Sequence, residues 1–165
     1  VSLMGTDAAR PSTGEPQLRR MGVALAKQPA HRPDFGAPPA TAFVRGGKAV
    51  FISDFLGPTE EIEPALLRAA QSGVTGALLQ VLDPAEEAFP FDGRVIFESM
   101  GRSVDFETHR ARALAGAYRE RLAERRDMLD RLARRTGWRF SVHHTDVSPR
   151  KGLIWLIGAI GVGGG

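Results

Sequence analysis

Two apolar runs stand on either side of a helix-forming segment that carries its own start and stop signals. They are Ala49-Val50-Phe51-Ile52 and Val74 to Leu82, the second interrupted by Gly76. A half-buried strand alternates apolar with polar, whereas a short continuous apolar run fits a strand covered on both faces, as in a parallel sheet. Between the runs, Thr59 reads as an N-cap, and Glu60, Glu61 and Glu63 place negative charge at the positive end of a helix. That helix runs to Ser72 and stops at Gly73. Strand, helix and strand at this spacing make a βαβ unit, whose crossover is almost always right-handed. A chain built on such a unit is confined to an α/β fold, a mostly parallel sheet flanked by helices.

The remaining segments are read against that unit. Val1 to Met4 is apolar and short enough for a strand, and Glu15 to Lys27 suits a helix with Leu18, Met21, Val23, Leu25 and Ala26 as its apolar positions. Residues 28–47 hold Pro29, Pro33, Pro38, Pro39 and Gly46-Gly47, the composition of a long irregular loop. Asp83 to Gly93 reads as a loop, and Arg94–Glu98 with Arg102–Phe106 as a small hairpin about Gly101. Glu107 to Thr136 carries an apolar stripe at helical spacing, including Leu114, Tyr118, Leu122, Leu129 and Leu132. Uninterrupted, it would be about 45 Å long, with a weak centre at Arg125-Arg126. Gly137 ends it, Trp138 to His143 alternates like a strand, and Ser148-Pro149 opens a last helix over Arg150–Ile160. Residues 161–165 read as a frayed tail.

Composition narrows the function classes. The 165 residues make one domain, 1–165, and contain no cysteine, which excludes disulfides, thiolate metal sites and a cysteine nucleophile. Of the 22 basic residues 19 are arginine, so the high isoelectric point reflects arginine chemistry more than the net charge of +3. The longest apolar run, Leu153 to Val162, is 10 residues, about half of a bilayer span. No cationic signal segment opens the chain, so no membrane span and a cytoplasmic location are expected.

Asp54 is the best-placed chemical candidate, because it directly follows a buried strand and ligands gather at the carboxyl ends of parallel strands. Its alternative role is to cap the turn into the next helix. Ser12 and Thr13 precede a helix, where their hydroxyls can ligate a hard cation such as Mg²⁺ or cap the helix. Asp83, Glu86 and Glu87 follow the second strand and can act as an acid/base pair or as a solvated helix turn. His143, His144 and Asp146 form the one histidine cluster, but neighbouring strand residues point to opposite faces, which disfavours a shared metal. The 11 arginines from Arg102 to Arg139 share their window with Asp105, Glu107, Glu120, Glu124, Asp127 and Asp130. A mixed-charge face with Asp127/Arg131 at ion-pair spacing, and without interleaved aromatics, argues against nucleic acid. No P-loop, dinucleotide fingerprint or nucleophile elbow is present.

Phe51-Ile52-Ser53-Asp54-Phe55-Leu56 resembles the strand end of a bacterial family known as domain of unknown function 58. The later segments keep the family's order: Leu79 to Glu87, Phe89 to Arg94, Tyr118 to Leu122, and His144-Thr145-Asp146 before the last helix. The resemblance covers 48–160 well and 1–27 more loosely. It implies a von Willebrand factor A-like domain, a Rossmann-type sheet flanked by helices with a small β-hairpin insertion. Such domains bind a divalent cation through Asp-x-Ser-x-Ser, a Thr and an Asp. Asp54 matches that Asp, and Thr13 with Ser12 beside it matches the Thr. The Asp-x-Ser-x-Ser is missing, so the domain is expected to be truncated at its N-terminus and its Mg²⁺ site incomplete unless an upstream segment or a partner completes it.

The same gap leaves 48–53 as an exposed apolar sheet edge, expected to be covered by a homodimer, a swapped oligomer or a rearranged N-terminal segment. The resemblance further implies a non-enzymatic adaptor working with a MoxR-type AAA+ ATPase, its partner-facing edge formed by Ser53, Asp54, Phe55, Asp83 and Glu86. The alternatives are a metal-dependent hydrolase or nuclease using Asp54 with His143 and His144, and a basic nucleic-acid-binding module.

Overall fold

The computed structural model describes residues 12–27, 38, 43–88, 95–98, 105–108 and 111–161. Its elements are α1 (Glu15–Ala26), β1 (Lys48–Ser53), α2 (Thr59–Gln71), β2 (Thr75–Leu82), α3 (Pro84–Ala88), β3 (Val95–Glu98), β4 (Asp105–Thr108), α4 (Ala111–Thr136), β5 (Arg139–His144) and α5 (Pro149–Gly161). The fold is α/β: β1, β2 and β5 form a parallel sheet in that order, and β3 and β4 make a separate antiparallel hairpin. The registers set Phe51 beside Leu78 and Leu78 beside Phe140.

The central strand β2 is buried from Gly76 through Gln80, the environment its unbroken apolar run demands. Strands added in one direction through right-handed crossovers keep their connecting helices on one face. Accordingly α2 and α4 share a face, where Phe51, Ile62, Leu66, Leu78, Leu129, Leu132 and Trp138 build the main core. The opposite face carries α5, whose Leu156 packs with Ala77 and Leu79. Trp138 lies flat over Gly76, stacks on Phe51 with ring centres 5.6 Å apart, and donates from Nε1 to the Val74 carbonyl at 2.9 Å. Before β1, the Gly46 amide donates to the Gly73 carbonyl and the Thr75 amide to the Gly47 carbonyl, which pins the end of the preceding loop to the turn after α2.

Several expectations shift. The α2 N-cap is Pro58 and Thr59 is already helical, while Gly73 takes the left-handed conformation (φ 75°) that its stop signal implied. The loop at 83–93 begins with the short helix α3. The second hairpin strand is Asp105–Thr108, so α4 starts at Ala111 instead of Glu107 and is one unbroken helix through Arg125-Arg126. Those arginines lie where α4 passes the sheet's carboxyl edge, which explains their break in the apolar stripe. In α1 the buried residue is Gln17, whereas Leu18, Val23 and Leu25 are exposed, so the apolar positions read from sequence do not mark its packed side. The Val1–Met4 strand, most of the 28–47 loop, Gly101 and the tail beyond Gly161 lie outside the described residues. None of the described helices is long and apolar enough to cross a membrane.

Candidate functional site

Asp54 sits in a turn that local chemistry builds with care. The residue after it, Phe55, has a left-handed backbone (φ 55°) and is only 2% exposed. A bulky residue pays strain for that conformation, and burial of its ring in the main core is what holds it there. Ser53 Oγ accepts the Phe55 amide at 3.0 Å, and Asp54 Oδ1 accepts the Leu56 amide at 3.0 Å. From β2, Gln80 Nε2 donates to the Asp54 carbonyl at 2.9 Å. These bonds close the turn and leave Asp54 exposed at the end of β1, its Oδ2 without a hydrogen-bond partner among the described residues. The carboxylate therefore shapes its own turn and does not cap α2. Phe55, expected on the partner-facing edge, instead points into the core.

Gln80 is fully buried within an apolar strand, and its Oε1 has no hydrogen-bond partner among the described residues. Nearby, burial lowers the Arg125 guanidinium from its ordinary range, while the negative charges of Glu60 and Asp54 oppose the shift. One terminal nitrogen of Arg125 is buried without a partner among the described residues. Asp54, Glu60 and Arg125 thus share the carboxyl edge beyond β1.

A second constellation closes the edge beyond β2 and β5. Asp83 Oδ1 accepts the Ala85 amide at 2.8 Å and Oδ2 accepts the Thr145 hydroxyl at 2.9 Å, so both bonds hold its carboxyl below the ordinary value of 3.8. Glu87, on α3, lies between the Arg126 guanidinium of α4 and the His144 imidazole, 2.5 Å from its Nε2. Burial pushes the Glu87 carboxyl upward, but Arg126 and His144 outweigh it, leaving the group below its ordinary 4.5. Arg119 adds a guanidinium bond to the Ala88 carbonyl at 2.5 Å, so α4 holds the C-terminal end of the Asp83–Ala88 turn while Thr145 holds its start.

The histidines part company, as their adjacency on a strand requires. His144 turns to Glu87 and α4, whereas His143 lies against Gly152 of α5 on the opposite face. Asp146 is exposed in the turn after β5. Ser12 and Thr13 precede Gly14, which is the α1 N-cap, so neither occupies the capping position. Thr13 is exposed and makes no hydrogen bond among the described residues. Ser53 is half-buried, Asp83 is exposed, and the Glu86 side chain lies outside the described residues. Among the described residues, no three His, Asp or Glu side chains come together to hold a metal ion.

Sequence reasoning missed Gln80, Arg125 and Arg126. Gln80 carried a readable signal, a lone amide in a buried strand. The arginines had only their interruption of the apolar stripe. Compared with family models, curated proteins and solved structures, the chain matches none of them.

Proposed function

We propose that this chain is a non-enzymatic interaction domain of von Willebrand A-like architecture, an adaptor that meets a MoxR-type AAA+ ATPase in the cytoplasm through the carboxyl edge of its sheet. The observation that carries this reading is the contrast in how the edge carboxylates are used. Asp83 and Glu87 are consumed by internal partners, whereas Asp54 is held out on a strained turn with one oxygen free. A rigid turn that presents a single acid suits recognition by a cationic group or completion of a shared Mg²⁺ shell, because preorganisation lowers the ordering cost of binding. The test is binding to a purified MoxR-type ATPase, with and without Mg²⁺, read by calorimetry. Asp54→Ala is expected to weaken association at least about tenfold, the loss typical of an interface anchor. Unchanged affinity for both the ATPase and the cation would overturn the reading.

One observation favours a second reading. Glu87 orients the His144 imidazole, and a carboxylate–imidazole pair is a common general-base arrangement. As a metal-dependent hydrolase or nuclease, the protein would cleave phosphodiester substrates in a manner lost in His144→Ala, while the adaptor reading expects no turnover in either protein.

A further inference from the structure

The sheet's β1 edge carries a pattern that fits a second copy of itself. Among the described residues β1 pairs only with β2, and no other described strand bonds the backbone groups on its other side. Natural sheet edges are blunted by a central lysine, a proline or a bulge. Residues 49–52 contain no charge and no proline, and β1 keeps an unbroken register with β2. Val50 is half-buried and Ile52 is 58% exposed, both on the α5 side of the sheet. The two charges flanking the strand are opposite in sign: Lys48 begins it and Asp54 follows its end.

We propose that β1 pairs antiparallel with β1 of a second copy, in the register that sets Phe51 opposite the partner's Phe51. The two-fold axis of an antiparallel seam is perpendicular to the sheet, so directly opposite residues share a face and their numbers add to an even sum. Centring on Phe51 sets Val50 opposite the partner's Ile52, and Lys48 opposite the partner's Asp54, each pair twice. Both charged groups have the capacity. The Lys48 ammonium uses one hydrogen in its 2.6 Å bond to the Ile160 carbonyl, and Asp54 keeps Oδ2 free. Centring on Val50 instead would set Lys48 against the partner's Ile52, a mismatch of charge and apolar surface. A parallel seam would bring lysine to lysine. The joined sheet has six strands, and both copies of α5, with exposed Leu153, Ile154 and Ile157, lie on one face of it.

The proposal does not rest on the adaptor reading and competes with it for Asp54, since an oxygen paired with the partner's Lys48 is no longer open to an ATPase. It is therefore tested on the chain alone. Light scattering coupled to size-exclusion chromatography should give twice the 17.8 kDa chain mass. Lys48→Glu and Asp54→Lys should each weaken the dimer about tenfold or more by setting like charges opposite one another. The double variant should restore it, and circular dichroism would establish that all three variants are folded. Amide exchange in residues 49–53 should slow as protein concentration rises. A monomer at every concentration would overturn the proposal, as would a dimer indifferent to the single charge reversals or one that the double variant fails to restore.

Discussion

The two faces of the three-stranded sheet are built to different standards. On one, α2 and α4 press Ile62, Leu66, Leu129 and Leu132 onto Phe51, Leu78 and Trp138, and most of these side chains are excluded from water. On the other, α5 contributes Leu156 to a small cluster with Ala77 and Leu79, while its Leu153, Ile154 and Ile157 face outward. Topology explains the asymmetry. Two successive crossovers deposit two helices on one face, and α5 alone among the later elements returns across the other. The thick face holds the fold together, and it also anchors Phe55, which fixes the Asp54 turn. The thin face leaves apolar surface available for association.

Substitutions matched across the sheet should expose this difference. Leu129 is fully buried in the main core, so Leu129→Ala should cost about 4 kcal/mol in urea unfolding, towards the upper end for such cavities. Gly76→Ala should cost about 3 kcal/mol, because its new methyl would stand 2.6–2.7 Å from ring atoms of Trp138. That ring cannot yield easily, being held by its stack on Phe51 and its bond to Val74. On the thin face, Leu156→Ala should cost only about 2 kcal/mol, since the smaller cluster can relax toward solvent. Gly152→Ala should stabilise by about 0.5 kcal/mol, since alanine is the better helix former and the methyl would meet Leu79 Cδ2 and His143 Nδ1 at 3.4 Å, the near limit of ordinary contact. Equal costs for Leu129→Ala and Leu156→Ala would show that the faces are energetically equivalent.

The thick face was also the legible one. The runs at 49–52 and 74–82, the acidic first turn at Glu60-Glu61 and the stop at Gly73 are local signals, and each sits where backbone physics requires it. The stripe of α4 was readable because Leu122, Leu129 and Leu132 repeat at helical spacing and are buried. The five residues of α3 are too few to show a period, and strands of four residues leave their register to the pairing of β3 with β4. In α1 the buried glutamine inverts the expected packing, which composition cannot disclose. Asp54 was visible from its place after a buried strand. The left-handed Phe55 beside it was not, because a core contact overrides the local preference. The Arg126–Glu87–His144 cluster joins residues 57 positions apart in the case of Glu87 and His144, a proximity that only the tertiary fold creates.

The smallest of the expected effects comes from that cluster, and it tests whether the carboxyl edge contributes to stability on the thick-face side. Glu87 has a folded-state pKa below its ordinary value, with Arg126 and His144 together outweighing the upward push of burial. A carboxyl depressed on folding stabilises the native state above its unfolded pKa, and the stabilisation is lost as pH falls through the folded value. Asp83 shifts the same way through its bonds to the Ala85 amide and the Thr145 hydroxyl. The chain should therefore lose stability as pH drops below about 4.5, in the range where unfolded carboxyls take up protons before the folded ones do. Glu87→Gln keeps the shape but cannot titrate, so its unfolding free energy should fall less steeply across that acid window. At neutral pH it should be slightly less stable than the parent, because Arg126 loses its ion pair. Parallel acid profiles for parent and variant would mean that solvent, and not the fold, sets the Glu87 charge, leaving α4 and the sheet as the clamp on the edge.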